Sequence, residues 1–251
     1  MDKTNLQKRM DIDCIVVDDE EVLGRNIQEY FEMSGLHTLW VNNSKELIDI
    51  IENNNVRIIL LDVNLGDESG FSICKDIRKK YNTPIFFISA RNSDDDILLA
   101  LGVGGDDYIK KPFSLGVLLA KVNASLRRQS IWTSDDNVKS SEDVKSQKKD
   151  EFIFDDYSLR YDLGRLFMKG EEIPLTQLEY ALLEYLTRNS GRIISKDEIF
   201  EKVWQDSITG DGTLNVHIRR LREKIELDPA NPKFIKTVWG TGYLFENEGK
   251  I

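Results

Sequence analysis

Cysteine, histidine, proline and long apolar stretches are all scarce in this chain of 251 residues. The two cysteines, Cys14 and Cys74, are too few for a disulfide framework and do not have the spacing of a metal site. No apolar run approaches the roughly 18 residues that a membrane-spanning helix needs, and the polar start of the chain has no signal-peptide pattern. We therefore expect a protein of the reducing cytoplasm that has no membrane partner.

An excess of positive charge is also missing, since 34 Lys and Arg stand against 44 Asp and Glu, for a net charge of −10. This balance excludes a broadly basic surface, so any nucleic-acid site has to be a local basic face. One segment, 213–236, carries six Lys or Arg against three Asp or Glu. The length and the 40% apolar content suffice for two ordinary globular domains.

The first half of the chain alternates strand-like and helix-like segments. Apolar runs at 14–17, 58–61 and 85–88 predict strands that are buried on both faces, and a last helix is predicted to begin after a Ser114 cap. Five such units between residues 11 and 128 predict an α/β domain with a doubly wound, five-stranded parallel sheet. Ligands of such sheets bind at the carboxyl ends of the strands.

The second half has a different pattern. Residues 129–150 are mostly Ser, Asp and Lys, which predicts a flexible linker. From 151 to 248, short alternating segments at 152–154, 159–161 and 166–168 predict a small antiparallel sheet. A capping box at Thr176–Glu179 then opens a helix, and a similar start at Ser195–Glu198 opens a second one. A third helix at about 212–225 and a hairpin within 234–245 complete a small α+β domain.

Acidic side chains stand at the ends of the predicted strands of the first domain. Asp18 and Asp19 follow the first strand, and Asp62 follows the third. Neighbouring carboxylates repel one another unless a cation neutralises them, and Mg²⁺ prefers such oxygen ligands. Ser89 ends the fourth strand and Lys111 follows the fifth, which adds a hydroxyl and an ammonium group. Each residue alone has an ordinary explanation as a helix cap or a surface side chain, but together they predict phosphoryl transfer with Asp62 as the nucleophile.

The motifs VVDDE, LLDVNLGDESG, ISAR and GGDDYIKKPF resemble the flavodoxin-like receiver domain of two-component response regulators over residues 11–128. The resemblance implies that Asp62 accepts phosphate from a histidine of a sensor kinase, and that Asp18 and Asp19 hold Mg²⁺. Further roles that the resemblance implies are the Asn64 backbone carbonyl as a metal ligand, Ser89 and Tyr108 as a coupled switch, and a cis peptide at Lys111–Pro112.

One position departs from the receiver pattern, because Gly66 stands where such domains usually carry proline. The glycine predicts a more mobile loop but leaves the phosphoryl chemistry intact. A Mg²⁺-dependent aspartyl-phosphate phosphatase is the alternative, since Asp62-Val-Asn64 distantly resembles its D-x-D motif. That motif belongs on the first strand and needs a second catalytic aspartate. We therefore expect no enzyme beyond the receiver's own phosphorylation and dephosphorylation.

The third helix of the second domain is amphipathic, with a core stripe of Leu214, Ile218, Leu221 and Ile225. Arginines lie opposite this stripe, which fits a helix that reads the DNA major groove and equally fits a solvated charged face. A domain that binds protein or RNA is a further alternative, but aromatic residues at the spacing of RNA-binding modules are missing.

The motifs PLTQLEYALLEYL, SKDEIFEKVW, NVHIRRLREKI and IKTVWGTGYLF resemble the winged-helix domain of OmpR/PhoB-type regulators over residues 152–246. The resemblance implies a recognition helix at 212–225 that reads promoter DNA, a turn at Gln205–Asp211 that contacts RNA polymerase, and a wing at 234–245. Trp239 replaces a common arginine, and we expect it to anchor the hairpin, with packing against DNA sugar and phosphate as the alternative. The predicted DNA-binding residues are Asn215, Val216, His217, Arg219, Arg220, Arg222, Trp239 and Thr241; Arg219 and Arg222 are expected to contact phosphate or to pair with acids.

Active receivers of this family pair through the fourth helix, the fifth strand and the fifth helix. Ile97 replaces the usual cation and Val117 the usual glutamate, whereas the strand–helix pair is kept as Asp107 with Lys121. The matched loss of opposite charges predicts an apolar contact in a two-fold homodimer of the phosphorylated protein, with drift on a monomer surface as the alternative. The flexible linker then lets the two DNA-binding domains occupy direct-repeat half-sites.

Overall fold

The chain forms two compact units, Met1–Val122 and Asn123–Ile251, and each has its own apolar core. The computed structural model of the protein describes residues 9–134, 150–205 and 211–247. In these three ranges no helix combines the length and the apolar character that crossing a membrane requires.

The first unit is built on a sheet of five mutually parallel strands. In chain order they are β1 (Cys14–Val17), β2 (Thr38–Val41), β3 (Ile59–Asp62), β4 (Ile85–Ser89) and β5 (Asp107–Lys110). Their spatial order is β2-β1-β3-β4-β5, so the chain changes direction across the sheet after β2. Strands β1, β3 and β4 are buried along their whole length, as their apolar runs predict. The predicted doubly wound α/β fold is confirmed.

Five helices alternate with these strands: α1 (Glu21–Met33), α2 (Ser44–Asn53), α3 (Gly70–Arg78), α4 (Asp94–Gly102) and α5 (Leu115–Ser134). Side-chain caps fix two of their starts. The side chain of Asn43 accepts a hydrogen bond from the Glu46 N–H, and that of Ser93 accepts one from the Asp96 N–H.

Helix α5 is longer than expected. It begins beside the predicted Ser114 cap but continues to Ser134, and therefore extends into the segment 129–150 that was predicted to be a linker. The stretch 117–134 has no proline or glycine that would end a helix, and Leu126 is buried. The rest of the predicted linker, 135–149, lies outside the described residues.

The carboxyl edge of the first sheet gathers polar side chains. Asp18 directly follows β1, Asp62 ends β3, Ser89 ends β4 and Lys111 follows β5. The backbone N–H of Lys111 donates to the carbonyl of Ser89 at 2.7 Å, which ties the end of β5 to that of β4. A short antiparallel pair, Asn64–Leu65 with Glu68–Ser69, follows β3 beside this edge, and a parallel pair joins Asp11–Ile12 to Asn55–Val56.

The second unit contains two antiparallel sheets. The first has the strands β6 (Glu151–Phe154), β7 (Tyr157–Arg160), β8 (Arg165–Met168) and β9 (Glu171–Ile173), paired in chain order. The first three strands were predicted, whereas the three-residue β9 was not. The second sheet has β10 (Ile193–Ser195), β11 (Ile235–Val238) and β12 (Gly242–Phe245), with β12 in the middle. Strands β11 and β12 form the predicted hairpin.

Three helices pack on these sheets: α6 (Gln177–Arg188), α7 (Lys196–Ile199), which continues as π-helix over Phe200–Trp204, and α8 (Asp211–Ile225). The predicted capping box is present, because Thr176 accepts from the Glu179 N–H while the Glu179 side chain accepts from the Thr176 N–H. The four predicted core residues of α8 are all buried: Leu214, Ile218, Leu221 and Ile225. The π-helix was not predicted.

Candidate functional site

Three carboxylates converge at the carboxyl edge of the first sheet. Asp18 and Asp62 are buried, Glu20 is exposed, and one carboxylate oxygen of each lies within 4.8 Å of the other two. Two features bring them together: β1 and β3 are neighbours, and the chain turns directly from β1 into α1. Among the described residues of this pocket, three negative charges face the single ammonium of Lys111. The oxygen donors and the remaining negative charge fit a divalent cation such as Mg²⁺.

Lys111 lies at the centre of this cluster. Its Nζ donates to Asp62 Oδ2 at 2.7 Å, to Asp18 Oδ2 at 2.9 Å and to Glu20 Oε1 at 3.0 Å. Burial acts to lower the pKa of Lys111, but the three carboxylates outweigh burial and raise this pKa above its ordinary value. The lysine is therefore a permanent cation that faces the Asp62 carboxylate.

For Asp18, unlike Lys111, burial has a larger effect on the pKa than the opposing groups have together. Burial raises the pKa of its carboxyl group above the ordinary value, while hydrogen bonds from Lys111 and from the Glu20 N–H work against this rise. Removal of the lysine charge would therefore favour the protonated form of Asp18.

Asp19 and Glu20 differ from the sequence prediction. The Asp19 carboxylate is outside the group of converging oxygens, and its exposed side chain accepts from the Gly66 N–H at 2.9 Å. This bond ties down the loop that was expected to be mobile, and Gly66 suits it because its φ of 54° is left-handed. Sequence reasoning missed Glu20, although a third acid in the loop that follows β1 was the available signal.

Three further groups surround Asp62. The Asn64 N–H donates to Asp62 Oδ1 at 3.0 Å, so the carboxylate is held through both of its oxygens, by Asn64 and by Lys111. Ser89 is fully buried, and its Oγ accepts from the Arg91 N–H at 3.1 Å. The hydroxyl of Tyr108 donates to the Arg91 carbonyl at 2.8 Å, and burial raises the pKa of this tyrosine. The peptide between Lys111 and Pro112 is cis, as the resemblance implies.

The predicted recognition helix α8 has one exposed face, but it is narrower than a helical wheel suggests. Asn215 is exposed and Arg219 is 79% exposed, with its guanidinium paired to Glu223 at 2.9 Å. Val216 and His217 are buried, and the His217 ring packs edge-on against Trp204 at 5.6 Å between centroids. Both side chains pack into the interior, which argues against the predicted DNA contacts of Val216 and His217.

Arg220 is also directed inward. Its guanidinium lies 2.7 Å from a carboxylate oxygen of Glu179, and this glutamate is fully buried. Lys224 donates to the other oxygen of Glu179 at 2.6 Å, so two cations of α8 share one anion of α6. This pairing does not favour the predicted base contact of Arg220, which stays a prediction. The sequence contained a sign of this shared pairing, because Arg220 and Lys224 are one helical turn apart and can therefore reach the same carboxylate.

The hairpin of β11 and β12 lies beside α8. The Arg222 guanidinium donates to the Ile235 carbonyl at 2.6 Å and to Thr237 Oγ1 at 2.9 Å, so it joins the helix to β11. At the hairpin turn Trp239 is 90% exposed. The prediction that Trp239 anchors the hairpin is therefore wrong. A cleft of about 540 Å³ lies between the helix and the hairpin, and Asn215, Arg222, Trp239 and Thr241 contribute to its lining.

Comparison with known proteins identifies the family. Residues 14–123 match the model of the response regulator receiver domain, and residues 170–245 match that of the transcriptional regulatory protein, C-terminal. The transcriptional regulatory protein YvrH of Bacillus subtilis (strain 168) is 38% identical over 242 residues, which cover 94% of this chain and 97% of the relative. The chain belongs to the OmpR/PhoB-type response regulators. It is a DNA-binding transcription regulator of a two-component system, with a receiver domain and a winged-helix domain.

Solved structures of similar proteins include other response regulators. DrrB, an OmpR/PhoB homologue of Thermotoga maritima, is 28% identical, with 96% of this chain and 100% of that chain covered and a TM-score of 0.47. A point mutant of RitR is 21% identical, with 95% of this chain and 99% of that chain covered and a TM-score of 0.69. The second likeness shows that the fold is shared.

Two of the four residues predicted for pairing of this response regulator are internal. Asp107 and Lys121 are both buried, and Lys121 Nζ donates to Asp107 Oδ2 at 2.7 Å within one subunit. The pair joins β5 to α5 of the same receiver, and its predicted place in a dimer interface stays a prediction. Ile97 is half-buried on α4 and Val117 is 37% exposed on α5.

Proposed function

We propose that Asp62 is the phosphoacceptor of this response regulator and that its phosphorylation by a sensor histidine kinase controls promoter binding. One observation carries the proposal: the buried Asp62 carboxylate is held by Lys111 and by the Asn64 N–H at the point where three carboxylates converge. A buried nucleophile with a fixed cation beside it suits the transfer of a group whose oxygens carry spread negative charge.

The chain's own residues divide the reaction between them. An oxygen of Asp62 attacks the phosphorus of a kinase phosphohistidine, so that a P–O bond forms while the P–N bond breaks and the imidazole leaves with the electron pair. Lys111 stabilises the phosphoryl oxygens, and the Ser89 hydroxyl, which ends the neighbouring strand, donates to one of them. The ligands that we propose for Mg²⁺ are Asp18, Asp62 and the Asn64 carbonyl, with Glu20 as a further carboxylate. When bound, Mg²⁺ neutralises part of the developing charge.

A small phosphodonor tests the assignment directly. Acetyl phosphate with Mg²⁺ should add one phosphoryl group to the protein, as seen by intact mass, and Asp62→Asn should abolish the gain. Chelation of Mg²⁺ should stop the reaction in the wild type as well. A mass gain in the Asp62→Asn protein would overturn the assignment of Asp62.

The DNA-binding surface that we propose is the exposed side of α8 together with the turn of the hairpin. Asn215, Arg219, Thr241 and Trp239 are exposed there, and all but Arg219 line the cleft between helix and hairpin. Arg222 holds these two elements together and has its guanidinium occupied by β11. We assign it to positioning the wing rather than to contacting phosphate. The loop predicted to meet RNA polymerase, Gln205–Asp211, lies almost wholly outside the described residues.

Phosphorylation acts, in this proposal, through a two-fold homodimer of receivers in the cytoplasm. Apolar side chains that reach solvent on α4 and α5 support it: Leu98 and Leu99 are both 49% exposed, Val117 is 37% exposed, and Ile97 is half-buried. When a second copy covers exposed apolar side chains, their removal from water stabilises the dimer. The two winged-helix domains then occupy direct-repeat half-sites.

A further inference from the structure

Trp40, the third of the four residues of β2, lies beside Asp18 of the acidic pocket. Its indole N–H donates to the backbone carbonyl of Asp18 at 2.9 Å. Strand β1 pairs with β2 only up to Val17 opposite Val41, so the Asp18 carbonyl lies one residue beyond the paired part of the strand. The indole therefore supplies the hydrogen bond that the sheet no longer provides at this position.

The backbone of Asp18 is held by β2 on both sides of its α-carbon. Its N–H donates to the Val41 carbonyl at 3.2 Å, and its carbonyl accepts from the Trp40 indole. With both peptide groups fixed, the direction of the Asp18 side chain depends on few remaining torsions. The Glu20 N–H donates to Asp18 Oδ1 at 2.9 Å, and that contact leaves Oδ2 for Lys111.

Helix α1 leaves space for the indole ring of Trp40. Gly24 of α1 is buried against it, and a β-carbon at this position would lie 2.1 Å from Trp40 Nε1, inside any permitted contact. Glycine in a helix interior costs about 1 kcal/mol relative to alanine, and the backbone of Gly24 is ordinary helix. The close approach of Trp40 is therefore the feature that requires glycine here. Arg25 covers the indole from outside, with its guanidinium carbon 5.0 Å from the ring centroid.

We propose that Trp40 is a positioning residue of the phosphorylation site, which holds the loop 18–20 in the arrangement that binds the divalent cation. It acts through the Asp18 backbone and touches none of the reacting atoms. The inference rests on the proposed function of the pocket. It adds that a tryptophan of β2 and a glycine of α1 tune the affinity of this pocket for Mg²⁺.

Two substitutions remove the hydrogen bond by different routes. Trp40→Phe keeps an aromatic ring but has no N–H, and Gly24→Ala keeps the indole but places a methyl group where Nε1 lies. Both proteins should bind Mg²⁺ about three- to tenfold more weakly by calorimetric titration, the range expected for one lost hydrogen bond. Arg25→Lys is the matched control, because it keeps the charge and the indole N–H, and its Kd should stay within about twofold of wild type.

A spectroscopic signature separates positioning from a packing role. In NMR spectra of the full-length wild type, the cross peak of the Trp40 indole N–H is the one that Trp40→Phe removes. This cross peak should shift when Mg²⁺ is added, because the indole is hydrogen-bonded to the backbone of Asp18, which we propose binds the cation. A packing role alone would lower the melting temperature and leave the Kd unchanged. If neither variant folds, the assigned indole cross peak of the wild type decides, and an indole N–H that does not respond to Mg²⁺ would overturn the role of Trp40.

The possible outcomes keep the two proposals apart. A wild type that binds no Mg²⁺ and gains no mass with acetyl phosphate would remove the proposed function. A wild type that does both, with Kd values for Trp40→Phe and Gly24→Ala equal to its own, would overturn the role of Trp40 alone.

Discussion

At the scale of single residues, Glu179 both caps helix α6 and binds two cations of helix α8. Its buried carboxylate accepts from the Thr176 N–H at 2.9 Å and also meets the side chains of Arg220 and Lys224. Burial acts to raise the pKa of Glu179, but the two cations and the Thr176 N–H outweigh it and lower the pKa below its ordinary value of 4.5. One anion of α6 therefore sets the position of the helix that we propose faces DNA.

Glu179→Ala should lower the free energy of unfolding of the second unit by about 3–5 kcal/mol at neutral pH, because it leaves two cations beside a buried gap. The lowered pKa of Glu179 determines how its effect on stability changes with pH. The carboxylate contributes its full stabilisation at a pH above its ordinary pKa, and this stabilisation is lost as the pH falls through the pKa of the folded state. Urea unfolding at decreasing pH should therefore show the wild type converging on Glu179→Ala. Glu184→Ala, which removes a more exposed acid of the same helix, is the control. Equal effects of the two substitutions would contradict this role.

Individual residues of α8 also show which side-chain positions could not be predicted from the sequence. A helical wheel finds the core stripe of α8, but it treats everything opposite that stripe as solvent. His217 and Arg220 are three residues apart and lie on one flank of α8, where His217 packs against Trp204 and Arg220 pairs with Glu179 of α6. In the receiver the order of strand ends sufficed for Asp18, Asp62 and Lys111, because parallel strands bring their carboxyl ends to one edge.

At the scale of elements, the hairpin and α8 share one exposed surface. Trp239 projects from the turn between β11 and β12, where Gly240 has a φ of 74°. A large aromatic side chain that is 90% exposed on a DNA-binding domain is available to the sugar and phosphate groups of a bound duplex. This supports the alternative use of Trp239, as a DNA contact, over its use as an anchor.

Trp239→Arg should steepen the dependence of DNA affinity on salt by about one counterion, because the added cation meets a phosphate. Trp239→Ala should weaken binding without changing that slope, since the indole contributes apolar contact only. Anisotropy titrations of a labelled promoter fragment at several salt concentrations measure both. An unchanged slope for Trp239→Arg would mean that the turn stays away from the DNA backbone.

Elements with a strong local signal could be predicted, and elements that depend on tertiary packing could not. The capping box of Thr176 and Glu179 fixed the start of α6, and the apolar runs fixed β1, β3 and β4. Strand β9 consists of Glu171–Ile173 and is two-thirds acidic, so it exists because β8 offers it a partner. The π-helical turn before Gln205 likewise follows from the packing of Phe200 and Trp204, whose rings lie 5.5 Å apart.

At the scale of the whole molecule, the proposal is that phosphorylation is converted into pairing of receivers. Val117→Glu should disrupt the activated dimer, because it sets a charge into an apolar contact, and Ile97→Lys in the same chain should restore it through a cross-subunit ion pair. Sedimentation of the activated protein measures both, and the wild-type dimer should weaken little with added salt, since an apolar contact is not screened. An intact dimer of Val117→Glu would refute this interface.

The most direct test of the account compares promoter binding by wild type and Asp62→Asn, each with and without acetyl phosphate and Mg²⁺, at one fixed salt concentration. A labelled fragment from the gene's own promoter region serves as the DNA. Phosphorylated wild type should bind about 5- to 150-fold more tightly than the untreated protein, the usual range of coupling between two sites, while Asp62→Asn should show no response. An equal response of the two proteins, or none in a wild type shown by mass to be phosphorylated, would contradict the account.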